Sequence, residues 1–337
     1  MKLTKGIAFD DVLLVPQYSD IKSRKEVDIG NQLDSDIDLS LPILSAPMDK
    51  VTESAMANAM SEMGGLGIIH RYNTIEEQLE IVKKITGTRA CAIPATGDYL
   101  ERAVELVDNG DVRVLCIDIA HAHHIHMKNA LTMLRKHFGD SVHLMAGNVA
   151  TLQAFNDLSD WGADSIKVGI GGGSICSTRI LTGHGMPTLQ SVYECSKSDR
   201  NAVLIADGGI KTSGDMVKAL AFGADLVMVG SLLSGTMQSP GDIHYNASGD
   251  PYKQYRGMAS KEAQNDWRGK SASIEGVSHY VPYKGCVKNI LRDLDNGIRS
   301  GLSYSGARSI NELQSVVKVI EQTSAGQFES STHIKSK

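Results

Sequence analysis

The sequence predicts an α/β protein built as one closed (β/α)8 TIM barrel, and three observations carry that reading. Short apolar, β-branched runs recur eight times over about 190 residues; stretches with apolar residues three and four apart lie between them; polar residues capable of chemistry fall at the C-terminal ends of the runs. The runs occupy 41–46, 65–70, 90–95, 112–120, 142–149, 165–170, 202–207 and 226–231. Their apolar character is nearly continuous, the pattern of parallel strands buried on both faces. Helical spacing is plainest at 75–85, 103–107, 128–138, 151–161 and 212–222. No Pro/Ser-rich linker breaks the alternation, so 1–322 is expected to be a single domain.

A doubly wound open sheet is the alternative, and the ends of the runs discriminate. A barrel gathers its working residues at one mouth. Here Ser45, Met48 and Asp49 follow the first run, His70 and Arg71 the second, and Thr96 the third. Asp118 and His121 follow the fourth, Asn148 the fifth, a glycine-rich loop the sixth, Asp207 the seventh and Gly230-Ser231 the eighth. Residues 1–40 are expected to cover the opposite end. Residues 234–290, rich in Gly, Ser and Tyr, are expected to form a lid after the eighth strand, and 323–337 a disordered tail.

With 337 residues, 42% hydrophobic and 22% charged, the chain is long enough for a large core. A net charge of -5, with a pI near 6.1, gives no basic patch for nucleic acid or a membrane surface. The five cysteines, at 91, 116, 176, 195 and 286, are odd in number and lack paired spacing, so neither a disulfide framework nor a zinc site is expected. A cytoplasmic setting follows. Neither a signal core nor an apolar run of about 20 residues is present, so no membrane segment is expected.

The glycine-rich loop, Gly169-Ile170-Gly171-Gly172-Gly173-Ser174-Ile175-Cys176-Ser177-Thr178-Arg179, carries one thiol at its far edge. Glycines let the main chain approach an anion and aim N–H groups at it. Asp207-Gly208-Gly209-Ile210 and Gly230-Ser231 end the seventh and eighth strands, where barrels hold phosphates. Three loops therefore converge on one phosphate, and Asp207 beside it is suited to sugar hydroxyls; a nucleotide monophosphate is the economical ligand. Cys176 is placed to attack an electrophilic carbon of the bound base, with Thr178 as proton relay. Threonine is a poor base and needs a carboxylate, for which Glu275 and Glu262 are candidates. His121, His123, His124 and His126 lack an acidic third ligand at helical spacing and are not expected to hold a metal.

These motifs resemble the IMP dehydrogenase/GMP reductase family across nearly the whole chain. Phe9-Asp10-Asp11-Val12-Leu13-Leu14 resembles its N-terminal segment, Met145-Ala146-Gly147-Asn148-Val149 its fifth strand, Gly173 to Arg179 its active-site signature, and Tyr255-Arg256-Gly257-Met258 its purine-contacting segment. The resemblance implies that Cys176 attacks carbon 2 of a purine ribonucleotide to form a thioimidate. It implies that Ser174, Asp207, Gly208, Gly209, Gly230, Ser231 and Tyr255 hold the ribose phosphate and that Met258, Gly257 and Glu275 face the base, with Ser45, Met48 and Asn148 in the same substrate site. It also implies a nicotinamide cofactor near Asp118, His121 and Gly169, a potassium-type cation on the carbonyls of Gly171, Gly173 and Cys176, and a homotetramer.

Two chemistries share that intermediate: oxidation of IMP to XMP with NAD, and reduction of GMP to IMP and ammonia with NADPH. The span from Ile75 to Tyr99 has no room for CBS repeats, the sixteen residues between Met258 and Glu275 hold no water-activating Arg-Tyr pair, and Ile117 to His121 and Thr182 to Gly185 look closer to reductases. Tyr255 to Met258 and Ser45 to Asp49 look closer to dehydrogenases. Lys261 stands where many reductases place a glutamate, and Arg71 where they carry a lysine, which puts Glu262 and Arg71 among the candidate catalytic residues. GMP reduction is the favoured expectation, IMP oxidation the alternative, and a nucleotide-binding regulator without catalysis the third reading.

Overall fold

Strands apolar on both faces need covering on both, and closing the sheet on itself achieves this. The computed structural model describes residues 3–271 and 274–330. Three short strands come first: β1 (Val12–Leu14), β2 (Asn31–Asp34) and β3 (Ile37–Leu39). The eight runs then form β4 (Ile43–Ser45), β5 (Leu66–Ile69), β6 (Ala90–Ile93), β7 (Val114–Asp118), β8 (His143–Val149), β9 (Ser165–Val168), β10 (Val203–Asp207) and β11 (Leu226–Val229). They pair in parallel in chain order, and β11 returns to β4 to close the barrel, as the sequence predicts.

Alternation divides each strand between two cores. Leu44, Ile68, Ala92, Cys116, Met145, Ile205 and Met228 join an interior cluster, while Ile43, Ile69, Cys91, Ile117, Ala146, Ala206 and Val229 join the layer shared with the helices. The β2–β3 hairpin contributes Leu33, Ile37 and Leu39 to the interior cluster and so plugs the N-terminal end. His143, at the start of β8, ties that plug down, with one ring nitrogen 2.9 Å from Asp34 and the other 2.8 Å from the Ser165 hydroxyl.

The intervening helices are α1 (Ser54–Glu62), α2 (Ile75–Lys83), α3 (Tyr99–Gly110), α4 (Ile125–Phe138), α5 (Leu152–Asp160), α6 (Thr178–Thr182), α7 (Thr188–Cys195) and α8 (Ser213–Ala221). Thr74 and Thr212 open α2 and α8 with reciprocal capping boxes to Glu77 and Asp215, each cap contributing about 1 kcal/mol. After β11 the chain makes a three-stranded antiparallel sheet, β12 (His244–Tyr245), β13 (Pro251–Arg256) and β14 (Ser278–Pro282), with α9 (Lys261–Arg268) between the last two strands. These elements fall within 234–290, the segment expected to form a lid. Two further helices, α10 (Val287–Tyr304) and α11 (Ile310–Val316), complete the outer layer beside α8.

The tail departs from expectation. β15 (Val319–Glu321) pairs antiparallel with β1, and α12 (Ser324–Glu329), capped by the Thr323 hydroxyl, forms where disorder is expected from 323 onward. A local cap and the pinning of the preceding strand supply order that apolar periodicity does not reveal. The remainder of that stretch, 331–337, lies outside the described residues. Among the described residues no helix is long and apolar enough to cross a membrane.

Candidate active site

A cavity of about 230 Å³ opens at the C-terminal ends of the strands. Its floor is backbone. Gly208 has φ +92°, and a side chain there would come within 3.2 Å of the Gly173 amide, so only glycine lets the β10 turn lie against the cysteine loop. A Cβ on Gly230 would meet Met48 Sδ at 3.0 Å and the Tyr255 hydroxyl at 3.3 Å. Met48, Ser174, Cys176, Thr178, Asp207, Gly208, Gly209, Gly230, Ser231, Tyr255, Gly257, Met258 and Glu275 all line this cavity, as the sequence predicts they should meet. Tyr255 hydrogen-bonds Ser174; burial pushes its phenol up to about 12, so it stays neutral.

The reactive chain is short. Cys176 Sγ lies 3.2 Å from Thr178 Oγ1, and Thr178 donates its hydroxyl to Glu275 Oε2 at 2.7 Å. With its one proton directed at the carboxylate, Thr178 presents a lone pair to the thiol. The chain is therefore polarised from sulfur toward Glu275. Glu275 reaches this place by main-chain stitching: its N–H donates to Ala259 O at 3.1 Å, its carbonyl accepts from Ser177 N at 3.0 Å, and Val277 N donates to Ile175 O at 3.1 Å. Glu262 is corrected: it stands exposed in the first turn of α9 and does not line the cavity, because the helix turns Ala263 and Gln264 inward instead, the latter donating to Ala259 O.

Asp207 and its surroundings hold the charge. Its Oδ2 accepts from Asn148 Nδ2 at 2.8 Å. Burial raises its pKa above the ordinary carboxylate value, against the pull of the Lys167 charge and the Asn148 hydrogen bond. Lys167, fully buried on β9, makes a short ion pair with Asp118. Burial alone would push Asp118 up, but Lys167 and Arg71 outweigh it and hold the carboxyl below its ordinary range. Burial would lower the Lys167 ammonium, and Asp118 raises it further than burial lowers it. Sequence reasoning missed Lys167. The signal was its register: Ile166 and Val168 face the helices, which leaves Ser165 and Lys167 inside the barrel.

Several expected site residues sit elsewhere. Ser45 is fully buried beneath the mouth, accepting from Thr52 Oγ1 at 2.8 Å, because its strand position directs it into the packed layer. Arg71 does not line the nucleotide-sized cavity; its guanidinium lies over the Tyr72 ring with Nε 4.0 Å from Asp118. Asn148 and Gly169 line a smaller cleft of about 190 Å³ alongside Cys176 and Asp207. In that loop the Gly173 carbonyl accepts the Cys176 N–H at 3.1 Å and keeps a second lone pair.

A second, larger cavity of about 990 Å³ shares Ala120, Thr178 and Glu275 with the first, so the Thr178–Glu275 pair forms the wall between them. His121 lines it, together with His184 and Gln190. Asp118 and Gly169 do not, because Asp118 is committed to Lys167 and Gly169 turns beneath Asp207. Burial, then the neighbouring His123, His124 and His184, lowers the His121 pKa. The cavity is of a size for a dinucleotide and adjoins the first.

Fold and site define a (β/α)8-barrel enzyme with a cysteine on a phosphate-type loop. Residues 6–333 match the family described as the IMP dehydrogenase / GMP reductase domain. The chain is 34% identical to inosine-5'-monophosphate dehydrogenase of Nitrosopumilus maritimus over 99% of both chains, and 31% identical to GMP reductase of Leishmania major over 99% of this chain and 98% of that one. A cysteine-to-alanine variant of GMP reductase from Trypanosoma brucei in complex with guanosine 5'-monophosphate superposes with a TM-score of 0.93 at 30% identity, covering 99% of each chain. Inosine 5' monophosphate dehydrogenase of Legionella pneumophila gives 0.86 at 46% identity, covering 96% of this chain and all of that one. The chain belongs to the IMP dehydrogenase/GMP reductase family, purine-nucleotide oxidoreductases that use nicotinamide cofactors.

Proposed function

We propose that this enzyme reduces GMP to IMP and ammonia through a covalent adduct on Cys176. The observation that carries the reading is the inventory of titratable groups around the cavity. Cys176, Asp207, Tyr255 and Glu275 line it, and Glu275 is already bonded to Thr178, which touches the thiol. Hydrolysis of a thioimidate needs a further base to activate water, and this lid offers no Arg-Tyr pair for it. Reduction needs only a proton donor for the departing amine.

Cys176 sulfur bonds to carbon 2 of the purine as its proton passes through Thr178 to Glu275. The 2-amino group then takes a proton back along the same chain and leaves as ammonia, which gives the thioimidate. A nicotinamide dinucleotide in the larger cavity, NADPH on this reading, supplies a hydride when bound. Once carbon 2 holds the added hydrogen, the carbon–sulfur bond breaks and the pair of electrons returns to Cys176. The sum is GMP, NADPH and two protons giving IMP, NADP+ and ammonium. Asp207 orients the ribose throughout, and Ser174, Gly209 and Ser231 offer the phosphate backbone and hydroxyl donors.

IMP oxidation is the second reading, favoured by the 46% identity with the inosine 5' monophosphate dehydrogenase of Legionella pneumophila and by the Tyr255 to Met258 segment. Near-ultraviolet absorbance of the reduced nicotinamide separates the two. A fall with GMP and NADPH is the expected result; a rise with IMP and NAD, and no fall with GMP, overturns the proposal. Replacing potassium by sodium in the same assay tests the loop cation. We also propose a homotetramer, for which the exposed Met237, Ile243, Tyr245 and Tyr280 on the lid side supply apolar surface; light scattering of the purified chain tests it.

A further inference from the structure

Arg71 resolves differently from the other mouth residues, and its neighbours show why. The guanidinium carbon lies 5.4 Å from the Tyr72 ring centroid, its Nε is buried without a hydrogen-bond partner, and that Nε stands 4.0 Å from Asp118. Tyr72 in turn stacks on Trp267 of α9, ring centroids 5.9 Å apart and planes inclined by 18°. The lid helix is thus connected to a barrel-mouth cation through two aromatic rings. Next to Trp267, Asp266 accepts from Arg256 Nη1 at 2.5 Å, and the same guanidinium donates from Nε to Asp49 at 2.9 Å. Asp49 N donates to Met258 Sδ at 3.3 Å. The two contacts flank the turn that presents Met258.

The Tyr72 backbone is fixed from below. Its N–H donates to His70 Nδ1 at 3.2 Å, and the other His70 nitrogen lies 3.3 Å from Glu53. The ring therefore has a set position on the barrel, while α9 depends on what it lands on: of its eight residues only Ala263 and Gln264 are buried. A helix with so little burial needs specific docking contacts to stay in place.

We propose that Tyr72 is a positioning residue that docks the lid through Trp267 and sets the Arg71 guanidinium beside Asp118, so that lid docking and placement of that cation are one event. The proposal deepens the functional reading above, since the lid it docks delivers Glu275. Aromatic stacking and a cation over a ring together make the docked state favoured by about tenfold.

The chain has two tryptophans, so Trp161→Phe leaves Trp267 as the sole indole reporter. In that background Tyr72→Ala is expected to shift Trp267 emission to that of a solvated indole and to speed iodoacetamide alkylation of Cys176 about tenfold. Tyr72→Phe keeps the ring and is expected to match the parent within twofold in both readouts. Arg71→Met is expected to move the emission part of the way, and Arg71→Lys to restore it. Turnover of Tyr72→Ala is expected to fall about tenfold in kcat, with the dissociation constant for GMP changed by less than threefold. Unchanged emission and alkylation in Tyr72→Ala, or a Tyr72→Phe variant as defective as Tyr72→Ala, overturns the docking role. An Arg71→Met variant that leaves Trp267 emission unmoved overturns the coupling. Emission and alkylation use neither cofactor nor turnover, so a failure to reduce GMP would defeat the functional reading and leave these results to decide this one.

Discussion

Replacing Lys167 by methionine removes a buried cation of similar length and leaves its carboxylate behind. Lys167 is 1% exposed and Asp118 Oδ1 is its ion-pair partner, while Cys116, also fully buried, offers no charge in compensation. Breaking a buried pair from one side costs about 3–5 kcal/mol, far more than removing both charges. Arg71, with Nε 4.0 Å from the other Asp118 oxygen, takes up part of the loss, so the lower figure applies, about 3 kcal/mol. For 337 residues, whose unfolding entropy is about 0.7 kcal/mol per kelvin, that is a fall in melting temperature of about 4 °C. The loss is expected to depend on pH with a definite sign. In the parent the Asp118 pKa is depressed, so its contribution is present above the ordinary carboxylate value and lost only as pH falls through the depressed one; that of Lys167 is raised, so its contribution persists below the ordinary ammonium value. Both are flat from about pH 5 to 9. In the variant Asp118 is buried and short of positive charge, its pKa rises, and the penalty grows as pH climbs through that raised value. Scanning calorimetry should therefore give a larger gap between parent and variant at pH 8 than at pH 5, and adding Asp118→Asn should recover more than half of it. A gap below 2 °C at pH 8, or one that widens toward acid, would refute the assignment of a paired, charged Lys167.

Three further outcomes follow from the site. Glu275→Gln still accepts from Thr178 but cannot hold a proton, so kcat is expected to fall about 10²–10³-fold with GMP affinity within threefold, read by steady-state kinetics and calorimetry. Cys176→Ala should abolish turnover and the iodoacetamide-sensitive thiol at the mouth while binding GMP nearly as the parent does, because the three backbone loops supply the ground-state contacts. Asp207→Ala should weaken GMP binding by about 10–100-fold. Because burial raises the Asp207 pKa, and sugar hydroxyls donate more strongly to its ionised form, GMP affinity of Cys176→Ala protein should fall on acidification at a pH above the ordinary carboxylate value and not below it; calorimetry across that range checks it.

The barrel was legible because strands buried on both faces leave a continuous apolar trace, and each of the eight runs in 41–231 contains its strand. Helices were legible where polar and apolar faces contrast, as in α2 and α5. α1 was not: Ser54-Ala55-Met56-Ala57-Asn58-Ala59-Met60 packs small residues all round and shows little contrast. The binding loops could be placed because strand ends in a barrel converge by topology alone. Which carboxylate meets Thr178 could not, since Glu262 and Glu275 lie on the same excursion and the choice depends on main-chain pairing 97 residues from Thr178. Ser45 and Arg71 stand at the expected strand ends but away from the cavity, because side-chain direction within the turn is decided by local partners, Thr52 seven residues on and the adjacent Tyr72, and not by strand position alone.

The division of labour between barrel and lid has a kinetic consequence. Asp207, Gly208, Gly209, Gly230 and Ser231 belong to strand ends, held by the closed sheet whether or not the lid is docked. Glu275 belongs to the segment after β11, and its place beside Thr178 depends on the bonds that cross to the cysteine loop, Ser177 N to Glu275 O and Val277 N to Ile175 O, which exist only while that segment lies on the loop. The strand-end binding groups are therefore permanent, whereas the proton-holding group, with Tyr255 and Met258 beside it on the same segment, is conditional. Interactions present in both ground and transition state set affinity, whereas those completed by closure act on the chemical step. Substitutions that loosen the lid should then lower kcat and leave nucleotide affinity close to that of the parent, whereas substitutions in the strand-end loops should do the reverse. Asp266→Ala, which removes the Arg256 contact on the solvent side of α9 and touches no cavity residue, isolates the first case: an expected fall of about threefold in kcat with unchanged GMP affinity, and a refutation if affinity falls instead.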